Sequence, residues 1–372
     1  DRALAALGTD ARNGLTEKEA RARLERYGKN ELTAEKPVPW WKKFLSQFND
    51  VLVVLLLIAT AISAALWLFE RDSALPYEAI AIFAVVMLNA ILGYVQESRA
   101  ESAIAALQQL AHRVYTAWGK PVIAITGSAG KTTAKELTAH VLKSAGHRVL
   151  KSERNYNNGL GLPLSVLRMV SEDRSPDQFD LAVLEMGMSS PTHEIQRLCR
   201  ITPPDVGVEL MVAPVHLEYL GSIENIAAAK AELIEGLKPD GTAILNADDV
   251  LVMKMRDKHR GHTLTFGIDN VSDVSASDVD TRSLGKIQFR LRTPLGEAYA
   301  SLQMSGRHNL SNALAASAVG TAFSIPPEEI AAWDTDVNGH GAGLPAGRGT
   351  ASITASSRRS ATLPRLKSRS AR

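Results

Sequence analysis

The chain has 372 residues, of which 45% are hydrophobic and 22% charged, a globular composition that excludes a wholly disordered or collagen-like chain. Its 42 basic and 40 acidic side chains give a net charge of +2, so overall charge does not favour nucleic acid, and no nucleic-acid partner is expected. The single cysteine excludes an internal disulfide and a metal cage built from cysteines.

Two uncharged stretches, residues 51–69 and 79–95, predict a hairpin of transmembrane helices over residues 51–95, with the lipid bilayer as its partner. The first stretch has 19 residues, and as a helix it spans about 28 Å, close to the ~30 Å hydrocarbon core of a bilayer. Candidate interface anchors flank the two stretches: Trp40, Trp41, Lys42, Lys43, Trp67 and Tyr77. The lysines place both ends of the hairpin in the cytoplasm, and a buried helical pair of a soluble protein is the alternative.

Three segments of the first 110 residues carry a resemblance to a known family. They read LTEKEARARLERYGKNEL, PWWKKFLSQFNDVLVVLLLIA and YEAIAIFAVVMLNAILGYVQESRAESAIAAL. This text resembles the N-terminus of the P-type cation-transporting ATPases, which implies a cytoplasmic segment at residues 1–50 and two membrane helices after it. The DKTG phosphorylation motif and the TGES loop of that family do not occur in the sequence, so the resemblance does not imply pumping. A fragment that inserts into a partner pump remains an alternative.

Alternating strand and helix patterns predict a parallel α/β sheet over residues 121–332. A connecting helix at residues 96–120 is expected to join this domain to the hairpin. Strands are predicted at residues 122–126, 180–185, 205–210 and 242–247. Because ligands of parallel α/β sheets bind at the carboxyl ends of the strands, a functional site is expected at that edge.

A glycine loop follows the first predicted strand directly. It reads Gly127-Ser128-Ala129-Gly130-Lys131-Thr132-Thr133 and is followed by a helix that Gly146 is expected to end. Backbone N–H groups of such a loop at a helix N-terminus bind phosphate. Lys131 is expected to reach the β- and γ-phosphates of a nucleotide, and Thr132 to offer its hydroxyl to Mg²⁺.

Further segments follow the loop in chain order. They are Asn155-Tyr156-Asn157-Asn158, Glu185-Met186-Gly187-Met188-Ser189, Ala213-Pro214-Val215-His216-Leu217-Glu218, Ala229-Lys230-Ala231-Glu232, Leu245-Asn246-Ala247-Asp248-Asp249 and Gly306-Arg307-His308-Asn309-Leu310-Ser311-Asn312. With the T-G-x-x-G-K-T form of the glycine loop, they resemble the central ATP-binding domain of the Mur ligases, a bacterial family of peptidoglycan synthesis. The resemblance covers residues 107–332.

The Mur ligase resemblance implies ATP and Mg²⁺ as cofactors and assigns roles to individual residues. The catalytic residues would be Lys131, Glu185, His216 and Lys230. The nucleotide-binding residues would be Gly127, Ser128, Ala129, Gly130, Lys131, Thr132, Thr133, Asn246 and His308, the last two on the adenine side. The metal ligands would be Thr132, Glu185, His216 and an N-carboxylated Lys230. A solvated Glu185, a structural His216 and a plain surface Lys230 are the alternatives.

The branch of the family with these segments is implied to be an ATP-dependent amide ligase. In that reaction ATP phosphorylates the carboxylate of a UDP-N-acetylmuramoyl-tripeptide, and the amine of D-alanyl-D-alanine attacks the acyl phosphate. Substrate domains flank the central domain in the family and are not recognisable here, so we expect Mg²⁺-ATP binding without ligation. A non-catalytic, membrane-tethered ATP-binding module is the alternative.

The two ends of the resemblance and three residues depart from the family pattern. Residues 105–110 fit both families, so the chain is expected to be a chimera joined there. Residues 333–372 are predicted to form a disordered basic tail. The tail is either the product of out-of-frame translation after a frameshift or a flexible segment that contacts anionic lipid or nucleic acid. His193 stands where a glycine is usual, Glu209 where an apolar residue is expected and Met211 where an asparagine is expected.

Overall fold

A computed structural model describes residues 16, 18–19, 21–22, 39–71, 74–171, 174–188, 193–215, 217–283 and 285–332. His216 and the predicted tail at residues 333–372 lie outside the described residues, as does most of the predicted N-terminal segment. The chain divides into two compact units, one of residues 31–107 and one of residues 1–30 with 108–372.

The smaller unit contains two long apolar helices. Its helices are α1 (Trp40–Ser46), α2 (Val51–Glu70) and the first part of α3 (Tyr77–Trp118). Gln47 Nε2 donates to Glu97 Oε2 (2.7 Å) and Ser63 Oγ to Glu78 Oε2 (3.3 Å), so α2 and α3 run antiparallel, as a hairpin requires. Both helices are long and apolar enough to cross a membrane. The helix α3 continues without a break through the predicted connecting segment, because that segment is rich in Ala, Glu, Gln and Leu and lacks proline.

The larger unit is built on one mostly parallel sheet. Its strands are β1 (Val122–Thr126), β2 (Val149–Lys151), β3 (Leu181–Glu185), β4 (Val206–Glu209), β5 (Thr242–Asn246), β6 (His262–Gly267), β7 (Val274–Asp280), β8 (Ile287–Thr293) and β9 (Gly296–Leu302). In the described residues they lie in the order β2-β3-β1-β4-β5-β6-β7-β8-β9. Neighbours from β2 to β7 are parallel, and β7, β8 and β9 are antiparallel. The predicted α/β class is confirmed, and β6 to β9 extend the predicted sheet.

Helices cover both faces of this sheet. They are α4 (Lys131–Ser144), α5 (Gly161–Leu167), α6 (Glu194–Ile201), α7 (Leu217–Leu220), α8 (Ile223–Glu235), α9 (Val250–Met253), α10 (Arg307–Ala322) and α11 (Pro327–Ile330). On one face Ile125 of β1 belongs to an apolar cluster with Leu137 of α4 and Leu314 of α10. On the other face Leu245 of β5 clusters with Ile234 of α8. The sheet is therefore the middle of three layers.

Two buried carboxylates, each at the end of a strand, point to opposite faces of the sheet. Glu185 at the end of β3 is in register with Ile125, so its side chain points to the α4 face. Glu209 at the end of β4 is in register with Thr126 and Leu245, so its side chain points to the α8 face. The glycine loop after β1 lies between these two strand ends, because β1 is the strand that separates β3 from β4.

Candidate functional site

The glycine loop has a backbone that only glycine accommodates at two positions. Gly127 has a φ of +151°, and an added Cβ would lie 2.8 Å from the Cβ of Leu210. Gly130 has a φ of +84°, and an added Cβ would lie 2.4 Å from Oδ1 of Asn312 in α10. Both glycines are therefore required by the local geometry, and the loop passes close to α10 just before α4 begins.

Hydrogen bonds brace the glycine loop against the segment after β4. Ser128 N donates to Met211 O (2.8 Å), and the Ser128 hydroxyl donates to Ala213 O (3.1 Å) and accepts from Ala213 N (2.8 Å). The brace uses the backbone of Met211, so the departure from asparagine leaves it in place. Lys131 Nζ donates to Gly127 O (2.8 Å), which holds a cation across the loop at the N-terminus of α4. This arrangement suits an anionic group.

Thr132 and Glu185, two of the predicted metal ligands, meet at the strand edge. Thr132 Oγ1 donates to Glu185 Oε2 (3.0 Å), and Asn157 Nδ2 donates to Glu185 Oε1 (2.8 Å). Glu185 is only 1% exposed, and its backbone N donates to Ser152 Oγ (2.9 Å). The alternative of a solvated Glu185 is therefore excluded. A hydroxyl and a carboxylate side by side fit Mg²⁺, which takes few protein oxygens and completes its shell with phosphate and water oxygens.

Lys230 is part of the interior and not a plain surface lysine. Lys230 is 3% exposed and Glu209 is 0% exposed. Burial lowers the pKa of Lys230 to about 8, and the charge of Glu209 opposes that shift. Burial raises the pKa of Glu209 to about 8, and the charge of Lys230 opposes that shift. An amine supplies no oxygen to Mg²⁺, so a metal-binding role of Lys230 depends on its carboxylation, which stays a prediction.

Glu209 is a buried charged residue at the site that the sequence analysis noted only as a departure from the family pattern. Both of its carboxylate oxygens, and Oγ1 of the neighbouring Thr126, have no hydrogen-bond partner within the described residues. A buried carboxylate without partners is destabilising unless it is protonated or electrostatically compensated. The signal in the sequence was a charged residue closing the apolar strand Val206–Glu209, at the edge where ligands bind.

The remaining predicted site residues have different surroundings. Asn246 is buried, donates through Nδ2 to Leu210 O (2.7 Å) and accepts from Asp248 N (2.9 Å), so its amide is committed to the backbone. His308 is exposed in the first turn of α10, and Ala129 is exposed in the glycine loop. Thr133 lies in the first turn of α4. His216 lies outside the described residues, so its predicted metal role remains a prediction.

His193 has the conformation that explains why glycine is usual at its position. Its φ is +49°, in the left-handed region that residues with a side chain rarely adopt. Its Nδ1 lies 2.8 Å from Glu232 Oε1, and Glu232 Oε2 accepts from Gln196 N (3.0 Å) at the start of α6. The imidazole therefore adds a side-chain hydrogen bond to Glu232, which caps α6, and glycine lacks this contact.

The fold and the glycine loop define an α/β domain of the P-loop class. Residues 125–320 match the model of the Mur ligase middle domain, which is more than half of the chain. The chain therefore belongs to the Mur ligase family. Residues 1–63 match the model of the cation transporter/ATPase N-terminus.

Named relatives place the similarity within one branch of the family. The chain is 38% identical over 231 residues to the UDP-N-acetylmuramoyl-tripeptide--D-alanyl-D-alanine ligase of Bacillus subtilis, covering 62% of this chain and 48% of the relative. The Mycobacterium tuberculosis ligase of the same name is 35% identical over 280 residues, or 74% of this chain and 53% of the relative. The chain thus spans about half the length of the curated relatives it matches.

Solved structures show the same similarity. MurF from Acinetobacter baumannii superimposes with a TM-score of 0.56 at 31% identity, covering 61% of this chain and 48% of that chain. MurF ligase from Thermotoga maritima, solved in complex with ADP, gives a TM-score of 0.56 at 30% identity, covering 63% of this chain and 53% of that chain.

Proposed function

We propose that residues 121–332 bind ATP together with Mg²⁺ at the carboxyl edge of the parallel sheet. The observation that carries this proposal is the contact of Thr132 with the buried carboxylate of Glu185, directly beside the glycine loop. Loop N–H groups and Lys131 would hold the phosphates, and Thr132 and Glu185 would supply the protein oxygens for Mg²⁺. The ADP complex of the Thermotoga maritima relative supports a nucleotide at this fold.

We propose that this nucleotide site is that of an amide ligase of peptidoglycan precursor synthesis, and that this chain binds Mg²⁺-ATP without completing the ligation. The names of the relatives support D-alanyl-D-alanine and UDP-N-acetylmuramoyl-tripeptide as the substrates. Lys131 and the loop N–H groups would stabilise negative charge on the phosphoryl group while it moves to the tripeptide carboxylate. Mg²⁺, when bound, would polarise the phosphate oxygens as a Lewis acid. Glu185 and Thr132 would hold the ion in place. Lys230, His216 and His308 keep the roles that the resemblance predicts, whereas the two backbone hydrogen bonds of the Asn246 amide favour a structural role for that residue.

The test of nucleotide binding is isothermal titration of the full chain with Mg²⁺-ATP. We expect saturable binding, and we expect Lys131→Ala to weaken it because the loop loses its cation. Lys143→Ala is the matched control, since Lys143 lies exposed at the other end of the same helix. Absence of binding at millimolar nucleotide, or equal effects of the two substitutions, would refute the proposed site.

We further propose that residues 51–95 anchor the chain in the bacterial cytoplasmic membrane, with the nucleotide site in the cytoplasm. Support comes from the length and apolarity of α2 and α3 and from the likeness of residues 1–63 to the cation transporter/ATPase N-terminus. Alkaline carbonate extraction of membranes tests this: the chain is expected in the pellet, and its quantitative release to the supernatant would contradict an integral anchor.

The joining of a pump-like N-terminus to a Mur ligase domain in one gene is also a proposal. Its support is the pair of adjacent family matches, at residues 1–63 and 125–320. Resequencing of source DNA across the codons of residues 105–113 tests it. One continuous reading frame is expected, and two separate genes would contradict the fusion.

A further inference from the structure

Lys135 is a fully buried lysine in the second turn of α4. It is 0% exposed and is among the largest side chains with no accessible surface in the described residues. Its Nζ donates to Arg154 O (3.1 Å) and lies 3.4 Å from Glu136 Oε1. An ammonium group loses its hydration on burial, so it is retained in an interior only where partners compensate. The carbonyl of Arg154 is therefore one of the partners that compensate the buried ammonium of Lys135.

Arg154 belongs to the asparagine loop, which we define as residues 153–159. Its φ is +45°, so the chain reverses there in a left-handed conformation. Within the loop, Tyr156 N donates to Glu153 O (3.0 Å) and Asn157 N donates to Asn155 O (2.7 Å). These hydrogen bonds make the loop compact, with Arg154 and Asn157 three residues apart within it.

The asparagine loop is attached to the predicted metal ligand Glu185. Asn157 Nδ2 donates to Glu185 Oε1 (2.8 Å), and Asn157 O accepts from Gly187 N (2.7 Å). A Cβ on Gly187 would lie 2.8 Å from Cγ of Asn157, so the loop sits against the backbone that follows β3. At its far end, Gln108 Nε2 donates to Gly159 O (2.8 Å).

The helix α4 is thus connected to both predicted protein ligands of Mg²⁺: it carries Thr132, and it reaches Glu185 through the asparagine loop. Thr132 and Lys135 are three residues apart on α4 and lie on neighbouring turns. Thr132 contacts Glu185 directly, while Lys135 reaches it through Arg154 and Asn157. We propose that Lys135 is a positioning residue for Mg²⁺: it holds the asparagine loop so that Asn157 orients the Glu185 carboxylate. This inference rests on the proposed binding of Mg²⁺-ATP.

A neighbouring lysine provides a matched control. Lys151 pairs with Glu136, the same carboxylate that lies beside Lys135, and belongs to the same seam between α4 and β2. Within the described residues its ammonium contacts Glu136 and no group of the asparagine loop. Loss of Lys151 therefore removes a similar charge pair and leaves the path to Glu185 intact.

The experiment is isothermal titration of the full chain with ATP, once with excess Mg²⁺ and once with EDTA. Lys135→Met keeps a long side chain and removes the ammonium. It is expected to weaken ATP binding in Mg²⁺ by about 10- to 100-fold, the range for loss of a group that orients a metal ligand, with metal-free ATP binding nearly unchanged. Lys151→Met is expected to change neither affinity. Asn157→Ala, on the loop itself, is expected to reproduce the selective loss even if Lys135→Met fails to fold.

The outcomes separate this inference from the function on which it rests. Wild-type chain that binds ATP in neither solution overturns the proposed function, and the inference with it. A second outcome overturns the positioning role alone. In it, Mg²⁺ strengthens ATP binding by the wild type, but Lys135→Met or Asn157→Ala either loses metal-free and Mg²⁺-dependent affinity equally or loses neither. A selective loss of the Mg²⁺-dependent affinity in both variants supports it.

Discussion

Replacing Glu209 by valine is expected to stabilise the folded chain. Glu209 is fully buried at the end of β4, and neither carboxylate oxygen has a hydrogen-bond partner within the described residues. A buried polar group without a partner destabilises a protein by about 1–3 kcal/mol. Valine is similar in volume and suits a strand. Lys230 then loses the attraction of the carboxylate, which offsets part of the gain, so we expect a net increase in the free energy of unfolding of about 1–2 kcal/mol near pH 8.

The pH dependence gives this prediction a second signature. The pKa of Glu209 is raised from 4.5 to about 8 by burial, so between these values the folded state retains a proton that the unfolded state has lost. Stability contributed by this group is therefore present at low pH and is lost as the pH rises through that window. Valine removes the slope, so its advantage over the wild type is expected to grow from pH 5 to pH 8.

Urea unfolding of the full chain in detergent, followed by far-ultraviolet circular dichroism at pH 5, 6.5 and 8, measures both effects. Glu209→Gln is the control, because it removes the charge and leaves a buried polar group without partners. It is expected to gain less than Glu209→Val. Combining Glu209→Val with Lys230→Met is expected to stabilise further, since both buried charges are gone. A Glu209→Val variant that is less stable than the wild type at pH 8, or that keeps the wild-type pH slope, would show that the buried Glu209 carboxylate does not destabilise the fold.

Three further substitutions test the backbone, the metal pair and a predicted adenine contact. Gly130→Ala is expected to lower the free energy of unfolding by about 1–2 kcal/mol or more, because of its φ of +84° and the contact with Asn312; an unchanged urea midpoint would contradict this. Glu185→Gln is expected to weaken titrated Mg²⁺-ATP binding by about tenfold or more, and an unchanged affinity would exclude Glu185 as a ligand. Asn246→Ala is expected to lower unfolding free energy by about 1–2 kcal/mol without weakening ATP binding, because its amide bonds two backbone groups. A selective loss of ATP affinity would instead favour the adenine role.

Local sequence signals predicted the elements around the glycine loop well. The predicted first strand and β1 have the same bounds, Val122–Thr126, because an apolar run ends there at Gly127. The helix after the loop ends at Ser144, and Gly146 follows with a φ of +85°, as expected of a residue that ends a helix. Both signals are local, so they required no knowledge of the tertiary fold.

The antiparallel strands were missed because their pattern is half polar. Strand β8 alternates buried Ile287, Phe289 and Leu291 with outward polar residues. This alternation is typical of a strand with one covered face, and it could have been recognised in the sequence. What covers that face is not local information, since the cluster includes residues of α10, which follows β9 in the chain.

The burial of Glu209, Lys230 and Lys135 could not be predicted from neighbouring residues. Each is a charged side chain whose surroundings depend on which helix packs over which face of the sheet. Lys230 was predicted at the site through its motif, whereas its depressed pKa follows from burial in the fold. Lys135 contacts a carbonyl 19 residues away, a pairing that only the folded loop creates.

A crystal structure of the full chain grown with ADP and Mg²⁺ would locate the nucleotide directly. We expect the diphosphate on the N–H groups of the glycine loop, with Lys131 moved from Gly127 O to a phosphate oxygen. We also expect Mg²⁺ beside Thr132 Oγ1 and the Glu185 carboxylate. ADP bound elsewhere on the sheet, or Mg²⁺ held without Glu185, would contradict the assignment of this edge as the nucleotide site.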